Sequence, residues 1–246
     1  MSSTLLQEAR QTIVPPKDNP HGPLPALLVL LTIVTGLVDA FSYLTLDRVF
    51  VANMTGNVVF LSFSLGGAAG FKWWASLEAI FTFSGGALLG GSVVKRYGRH
   101  RGRHLYVAAA TQLVFVTAAV VLAFISAAPI TTGPLIALVL VLGIAMGLQN
   151  ATARSLSVPD LTTTVLTLTI TGISADSGPA GGKGSHLGRR TVSIAAMFAG
   201  GLAGALLVVD GDGPWALVAA AALLGVIVLA TSRVKSSTGA WAAPKK

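Results

Sequence analysis

The sequence predicts an all-α polytopic membrane protein with about six transmembrane helices, two short broken or re-entrant segments and an inverted-topology internal repeat. Composition, the lengths of the apolar segments and the repeat itself support this prediction. Of the 246 residues, 53% are hydrophobic and only 11% are charged, whereas a soluble domain usually has about 25% charged residues. So few charges would not cover the surface of a soluble globule, so we expect one membrane domain.

Six apolar segments are long enough, or nearly so, for a helix that crosses the hydrocarbon core, which takes about 20 residues. They are residues 25–46, 74–94, 105–127, 134–153, 191–209 and 214–231. Two further segments are shorter. Residues 58–65 follow a polar run at 53–57, and residues 161–173 include six threonines. We interpret both as half-helices or re-entrant segments.

The placement of Lys and Arg tests this topology, because cytoplasmic loops concentrate these residues. If both short segments enter and leave on one side and the N-terminus is inside, 15 of the 17 basic residues are cytoplasmic. Only Arg48 and Lys72 then lie outside. With eight spanning helices, even the better orientation leaves only 10 of the 17 inside. The charges therefore favour six spans with both termini in the cytoplasm.

The regions outside the membrane domain are polar. Residues 1–24 are rich in proline, do not have the layout of a signal peptide, and are expected to form a flexible cytoplasmic arm. Residues 25–232 form the membrane domain, and residues 233–246 form a cytoplasmic tail. The basic run at 95–104 lies between two predicted spans, so we expect it to contact anionic lipid headgroups and not nucleic acid. The oligomeric state stays open.

The two halves of the membrane domain resemble each other. Residues 36–40 match residues 147–151 at an offset of 111, residues 54–58 match 166–170 at 112, and residues 83–86 match 198–201 at 115. Repeat 1 covers about 25–127 and repeat 2 about 134–231. Each repeat holds three full spans, an odd number, so the second must enter the membrane upside down. Many secondary transporters have this architecture.

These same residues resemble a known family. The run Gly36–Ala40 followed by Phe50–Asn57, and in the second half Gly147–Ala151 followed by Thr163–Thr167, are similar to the motifs of the YoaK-like bacterial membrane proteins. The resemblance covers roughly residues 25–232. It implies an inner-membrane protein of about six helices, but no substrate or mechanism. Leu168 stands where that family usually has a glycine, which would alter ligand binding in the second half if the glycine allows close backbone approach.

Asp39 is the first candidate for a functional residue. It lies midway along the first span, where an ionisable group costs about 2.5–3.5 kcal/mol on insertion scales unless it is paired, protonated or facing water. It is either a coupling or substrate-contacting carboxylate, or a structural acid bonded to Asn150, the corresponding residue of repeat 2. Gln149 and Asn150 are neutral candidates that hydrogen bonds across helices would satisfy.

The polar residues before the short segments form the second group of candidates. Short polar side chains beside a glycine fit the N-terminus of a half-helix, where free N–H groups attract an anion. Two such ends near the membrane midplane would form one substrate site. Otherwise these residues only satisfy irregular backbone at the membrane surface. The candidates are Asn53, Thr55, Gly56, Asn57, Thr163, Thr164 and Thr167.

Enzymatic chemistry has little support in the sequence. The chain has no cysteine, and its four histidines all lie in polar loops. We therefore expect no catalytic residues, no metal site and no cofactor. The leading interpretation is a secondary transporter or permease for a small polar or anionic solute. The alternative is a non-transporting membrane protein that scaffolds or regulates a partner, which would need no polar site at the midplane.

Overall fold

The computed structural model describes residues 2–126, 129–164, 166–177, 181–182, 186–211 and 213–244. Four basic or loop positions on which the topology prediction relies, Lys183, Gly184, Lys245 and Lys246, lie outside the described residues, as does Val165 of the second motif.

The described residues form nine α-helices, a short 3-10 helix near the C-terminus and no strands. The α-helices are α1 (Ser2–Ile13), α2 (Leu24–Thr45), α3 (Met54–Leu65), α4 (Trp73–Tyr97), α5 (Arg101–Ile125), α6 (Thr132–Leu156), α7 (Thr167–Ala175), α8 (Leu187–Val209) and α9 (Gly213–Val234).

Six of these helices are long and apolar enough to cross a membrane: α2, α4, α5, α6, α8 and α9. They coincide with the six predicted spans, so the all-α membrane architecture is confirmed. Several extend further than the apolar segments did. α4 continues to Tyr97 through Lys95 and Arg96, whose positive charges interact favourably with the C-terminal end of the helix dipole.

The helices α3 and α7 are short, at 12 and 9 residues. At about 1.5 Å per residue, neither reaches the roughly 30 Å of a hydrocarbon core. α3 begins four residues before the predicted apolar stretch, because the Asn53 side chain caps it by accepting a hydrogen bond from Gly56 N–H at 3.2 Å. In the second half, residues 161–164 and 166 are not helical and α7 begins only at Thr167.

Glycines bring α2 and α8 into close contact. A Cβ atom added at Gly36 would lie 2.6 Å from the carbonyl oxygen of Met197, and one at Gly200 would overlap the carbonyl of Ile33. Small residues at such positions let the backbones of membrane helices approach each other. The first span of one half therefore packs tightly on the second span of the other.

The contact of α6 with α4 repeats this arrangement. A Cβ atom at Gly147 would overlap the carbonyl of Phe83, and one at Gly86 would overlap that of Ile144. Equivalent positions of the two first spans are 111 residues apart, as the sequence predicted, and equivalent positions of the two second spans are 114 apart instead of 115. The matching pairs are Gly36–Met197 with Gly147–Phe83, Gly200–Ile33 with Gly86–Ile144, and Gly204–Ala40 with Gly90–Ala151.

The N-terminal segment differs from the flexible arm that the sequence predicted. It forms α1, which packs on the start of α8, where the Glu8 carboxylate accepts a hydrogen bond from Gly188 N–H at 2.9 Å. A carboxylate at this position satisfies a free N–H group of the helix end and interacts favourably with its dipole.

One residue of the basic loop, Arg101, does not fit the predicted contact with lipid headgroups, whereas Lys95, Arg96, Arg99 and Arg103 are exposed and keep that prediction open. Arg101 is 3% exposed. Its guanidinium donates to the carbonyl oxygens of Trp241, at 3.2 Å, and Leu156, and lies 3.2 Å from His21 Nδ1. Arg101 therefore joins the segment before α2, the end of α6 and the C-terminal tail, because a buried guanidinium needs such acceptors.

Candidate functional site

A cavity of about 870 Å³ lies between the two halves of the membrane domain. From the first half, its wall is formed by α2, the connector before α3, α3 and Phe83 of α4. From the second half it is formed by the end of α6, the connector before α7, and α7 and α8. The beginnings of both short helices, Met54 and Thr167, belong to the wall.

Seven of the ten candidate residues line this cavity, and they come from both halves. They are Asp39, Asn53, Thr55 and Gly56 in the first half and Asn150, Thr164 and Thr167 in the second. Residues more than 100 positions apart in the chain therefore share one space. Their role in binding stays a prediction, since shared location alone does not show that a solute contacts them.

Asp39 holds the connector before α3 in place. Its Oδ1 atom accepts a hydrogen bond from Ala52 N–H at 3.0 Å. The partner of this carboxylate is thus the backbone of its own half, and not Asn150 as the structural alternative expected. The side chain is half-buried and faces the cavity.

Asn150 makes the equivalent connection in the second half. Its Oδ1 atom accepts a hydrogen bond of 2.5 Å from the Thr164 hydroxyl, and its amide donates to Met146 O at 3.0 Å. In each half, then, the polar residue near the end of the first span ties the helix to the connector 13 or 14 residues later. The two halves differ chemically here, with a carboxylate in one and an amide in the other.

Asn57 does not line the cavity. It is fully buried, and its side-chain amide donates to Phe50 O at 2.5 Å and accepts from Phe50 N–H at 3.1 Å. These two bonds fix the connector against α3, because buried backbone groups require partners. These backbone contacts therefore account for Asn57, and no contact with a solute is needed to explain it.

Gln149 and Thr163 also lie behind the wall. The Gln149 amide donates to the hydroxyls of Thr35 at 2.8 Å and Thr163 at 3.1 Å, and its oxygen accepts from Gln112 at 2.6 Å. This buried network joins α2, α5, α6 and the connector before α7. Thr163 has a φ of 66°, a left-handed conformation that costs about 1 kcal/mol or more for a β-branched residue and needs support from its surroundings.

Aromatic side chains also form part of the cavity wall, and the sequence analysis did not predict this. The rings of Tyr43 and Phe50 stack with centroids 4.7 Å apart, and Phe60 lies 5.9 Å from Phe50 and 6.0 Å from Tyr43. All three line the cavity. The only sequence signal is the presence of aromatic residues around the polar run at 53–57, which is weak because membrane helices commonly carry aromatics.

Among the described residues, no group of three or more His, Asp or Glu side chains is close enough together to hold a metal ion. The ion pairs lie away from the cavity. Lys72 contacts Asp47 at 2.6 Å, and Arg190 contacts Asp160 at 2.9 Å and Asp176 at 2.8 Å.

Comparison with known proteins points to one family. A family model described as "Protein of unknown function (DUF1275)" matches residues 27–230. The UPF0700 transmembrane protein YoaK of Bacillus subtilis (strain 168) is 30% identical over 150 residues, which cover 61% of this chain and 65% of that protein. The match thus spans slightly less than two thirds of the relative's length. No solved structure matches the chain.

Proposed function

Because the chain belongs to the DUF1275 family of membrane proteins, whose activity is not established, we propose from the cavity that it is a secondary transporter for a small polar solute. The observation that carries the proposal is the position of the cavity between the two halves, at the beginnings of both short helices. Transporters with repeated halves bind their solutes at this kind of interface, often between broken helices.

We propose further that the membrane domain is an inverted repeat and that α3 and α7 are re-entrant. The matching glycine contacts of α2 with α8 and of α6 with α4 support a two-fold relation between the halves. Each half holds three helices long enough to span the membrane, so two equivalent halves in one chain must have opposite orientations. Both short helices then return to the side from which they entered.

The proposed orientation places both termini and the basic loop around Arg99 in the cytoplasm of a bacterium, within its inner membrane. The excess of Lys and Arg on that side supports it. Arg99 and Ala69 are both exposed, in loops on opposite sides of this topology. In intact cells, a membrane-impermeant thiol reagent should label Ala69→Cys and spare Arg99→Cys. The reverse pattern would contradict the orientation.

A thermal-shift screen of the purified protein against metabolites, including carboxylates, tests the function. A ligand that binds the folded protein stabilises it by mass action, by about 2.7 kcal/mol at a ligand concentration a hundredfold above Kd, and so raises the melting temperature. We expect at least one small polar solute to stabilise the protein and to be taken up saturably by reconstituted vesicles. Binding without uptake would favour the scaffold alternative, and the absence of any binder would contradict the proposal.

A further inference from the structure

The charge of the cavity wall narrows the class of solute. Among the described residues that line it, Asp39 is the only one with a formally charged side chain, and none is Lys, Arg or His. None of the ion pairs among the described residues involves Asp39. The cavity therefore contains one carboxylate that forms no ion pair with a cationic side chain in the described part of the chain.

This carboxylate has room for a further partner. An ionised carboxylate offers about four acceptor positions, and the backbone N–H groups of Ala52, 3.0 Å from Oδ1, and Val51 occupy two of them. An ammonium group would use the others in a charge-assisted hydrogen bond, which is about twice as strong as a neutral one. An anion in the same space would instead be repelled by the carboxylate.

The aromatic rings beside Asp39 favour the same class of ligand. Tyr43 lies one helical turn after Asp39 on α2, so the two side chains project from the same face of the helix. Tyr43 stacks with Phe50, and Phe60 completes the group. The face of an aromatic ring attracts a cation that lies within about 6 Å of its centroid.

The N-terminus of α3 has fewer free N–H groups available to an anion than the sequence predicted. The Asn53 side chain already accepts the Gly56 N–H bond, so one of the free donors at that helix end is occupied. The remaining attraction of the two short-helix ends for an anion is opposed by the negative charge that Asp39 carries when it is ionised.

We propose that the cavity binds an organic ammonium ion, with its charged group between the Asp39 carboxylate and the aromatic faces of Tyr43 and Phe60. This inference deepens the proposed transport function and rests on it. It replaces the small polar or anionic solute expected from the sequence with a cationic one.

Pairs of probes that share a shape but differ in charge test the inference. The pairs are choline with 3,3-dimethylbutan-1-ol, benzylammonium with benzyl alcohol, and 1,4-diaminobutane with 1,4-butanediol. Acetate and benzoate are the anionic probes. Each is titrated against the full-length protein while the melting temperature is followed. We expect at least one cation to bind at least about tenfold more tightly than its neutral partner, and neither carboxylate to bind.

Variants connect this preference to the named residues. Asp39→Asn should weaken cation binding at least about tenfold, and Phe60→Leu, which keeps an apolar side chain, about two- to fivefold. Glu78→Gln is the matched control, since it removes a carboxylate from α4 that does not line the cavity, and it should bind as the parent does. If Asp39→Asn does not fold, Phe60→Leu provides the test.

The outcomes separate this inference from transport itself. Equal binding of cations and neutral partners, binding of carboxylates, lack of cation binding, or full cation affinity in the folded variants would each overturn the ammonium assignment. Saturable uptake of a neutral or anionic solute would do so while leaving the transport function intact. Asp39-dependent binding of a cation without flux through vesicles would support the assignment and contradict transport.

Discussion

Replacing Asp39 by asparagine is expected to abolish uptake driven by a pH gradient while the protein stays folded. Asparagine keeps the side-chain oxygen that accepts the Ala52 N–H bond, and Asn150 already occupies the corresponding position of the second half. What the variant loses is the titratable carboxylate, which a proton-coupled mechanism requires at this position. Downhill uptake at saturating solute should remain, and the component that an imposed gradient stimulates should fall to the level of protein-free vesicles.

The measurement is uptake by reconstituted vesicles, with and without an imposed pH gradient, of the solute that stabilises the protein in the thermal-shift screen. Asp39→Leu is the companion variant. It leaves the Ala52 N–H group without its partner, at a cost of about 1–3 kcal/mol, and should therefore lower stability as well as transport. Equal gradient-dependent uptake by the parent and Asp39→Asn would remove Asp39 from coupling and leave it as a residue that holds the connector.

A single methyl group at Gly86 is expected to destabilise the protein strongly. Gly86 is buried where α4 crosses α6, and the added Cβ atom would overlap the backbone carbonyl of Ile144. A backbone atom cannot move aside as the end of a side chain can, so the two helices must separate. Overpacking of this kind costs about 1–3 kcal/mol, and Gly86→Ala should lower the melting temperature of the purified protein by several degrees.

The neighbouring Gly85→Ala is the matched control, because nothing lies within 4 Å of the added Cβ atom. Alanine is the better helix former by up to about 1 kcal/mol, so this variant should be as stable as the parent or slightly more stable. The equivalent pair, Gly200→Ala and Gly201→Ala, should behave in the same way, since only Gly200 faces a carbonyl. Equal melting temperatures within each pair would contradict the close packing of the halves.

The spanning helices could be predicted from the sequence because their length and apolarity leave few other structures. A segment of about 20 apolar residues in so small a chain is typical of a transmembrane helix and not of a helix in a soluble domain. Helix ends were less predictable. α6 continues to Leu156, three residues past its predicted end, and closes with Ser157 in a left-handed conformation, a choice that depends on local hydrogen bonds and not on apolar length.

The regions near the membrane surface were predicted less well. Polar, proline-rich composition indicated a flexible arm, yet α1 forms because Gly188 and Glu8 let it pack on α8. Arg101 reads in sequence as one more exposed base. Its burial depends on acceptors from His21, Leu156 and the tail, and such distant partners leave no local sequence signal.

The candidate site shows both the value and the limit of the repeat as a guide. Matching motifs in the two halves predicted that polar residues would meet, and Asp39, Asn150 and Thr167 do line one cavity. A motif does not say which side chains point inward. Asn57 and Gln149 lie in the same motifs but face the protein, where backbone and side-chain groups required hydrogen-bond partners.

The most direct test of transport needs no knowledge of the solute. Thr55 and Thr167 line the cavity from opposite halves, and the chain has no native cysteine. Single variants Thr55→Cys and Thr167→Cys are exposed to a membrane-impermeant maleimide in right-side-out and in inverted vesicles, with Ala69→Cys and Arg99→Cys as markers of the two faces. A transporter that alternates its access predicts that each cavity cysteine is labelled from both sides, whereas each marker is labelled from one. Cavity cysteines that are labelled in only one of the two vesicle types, as the markers are, would contradict the account.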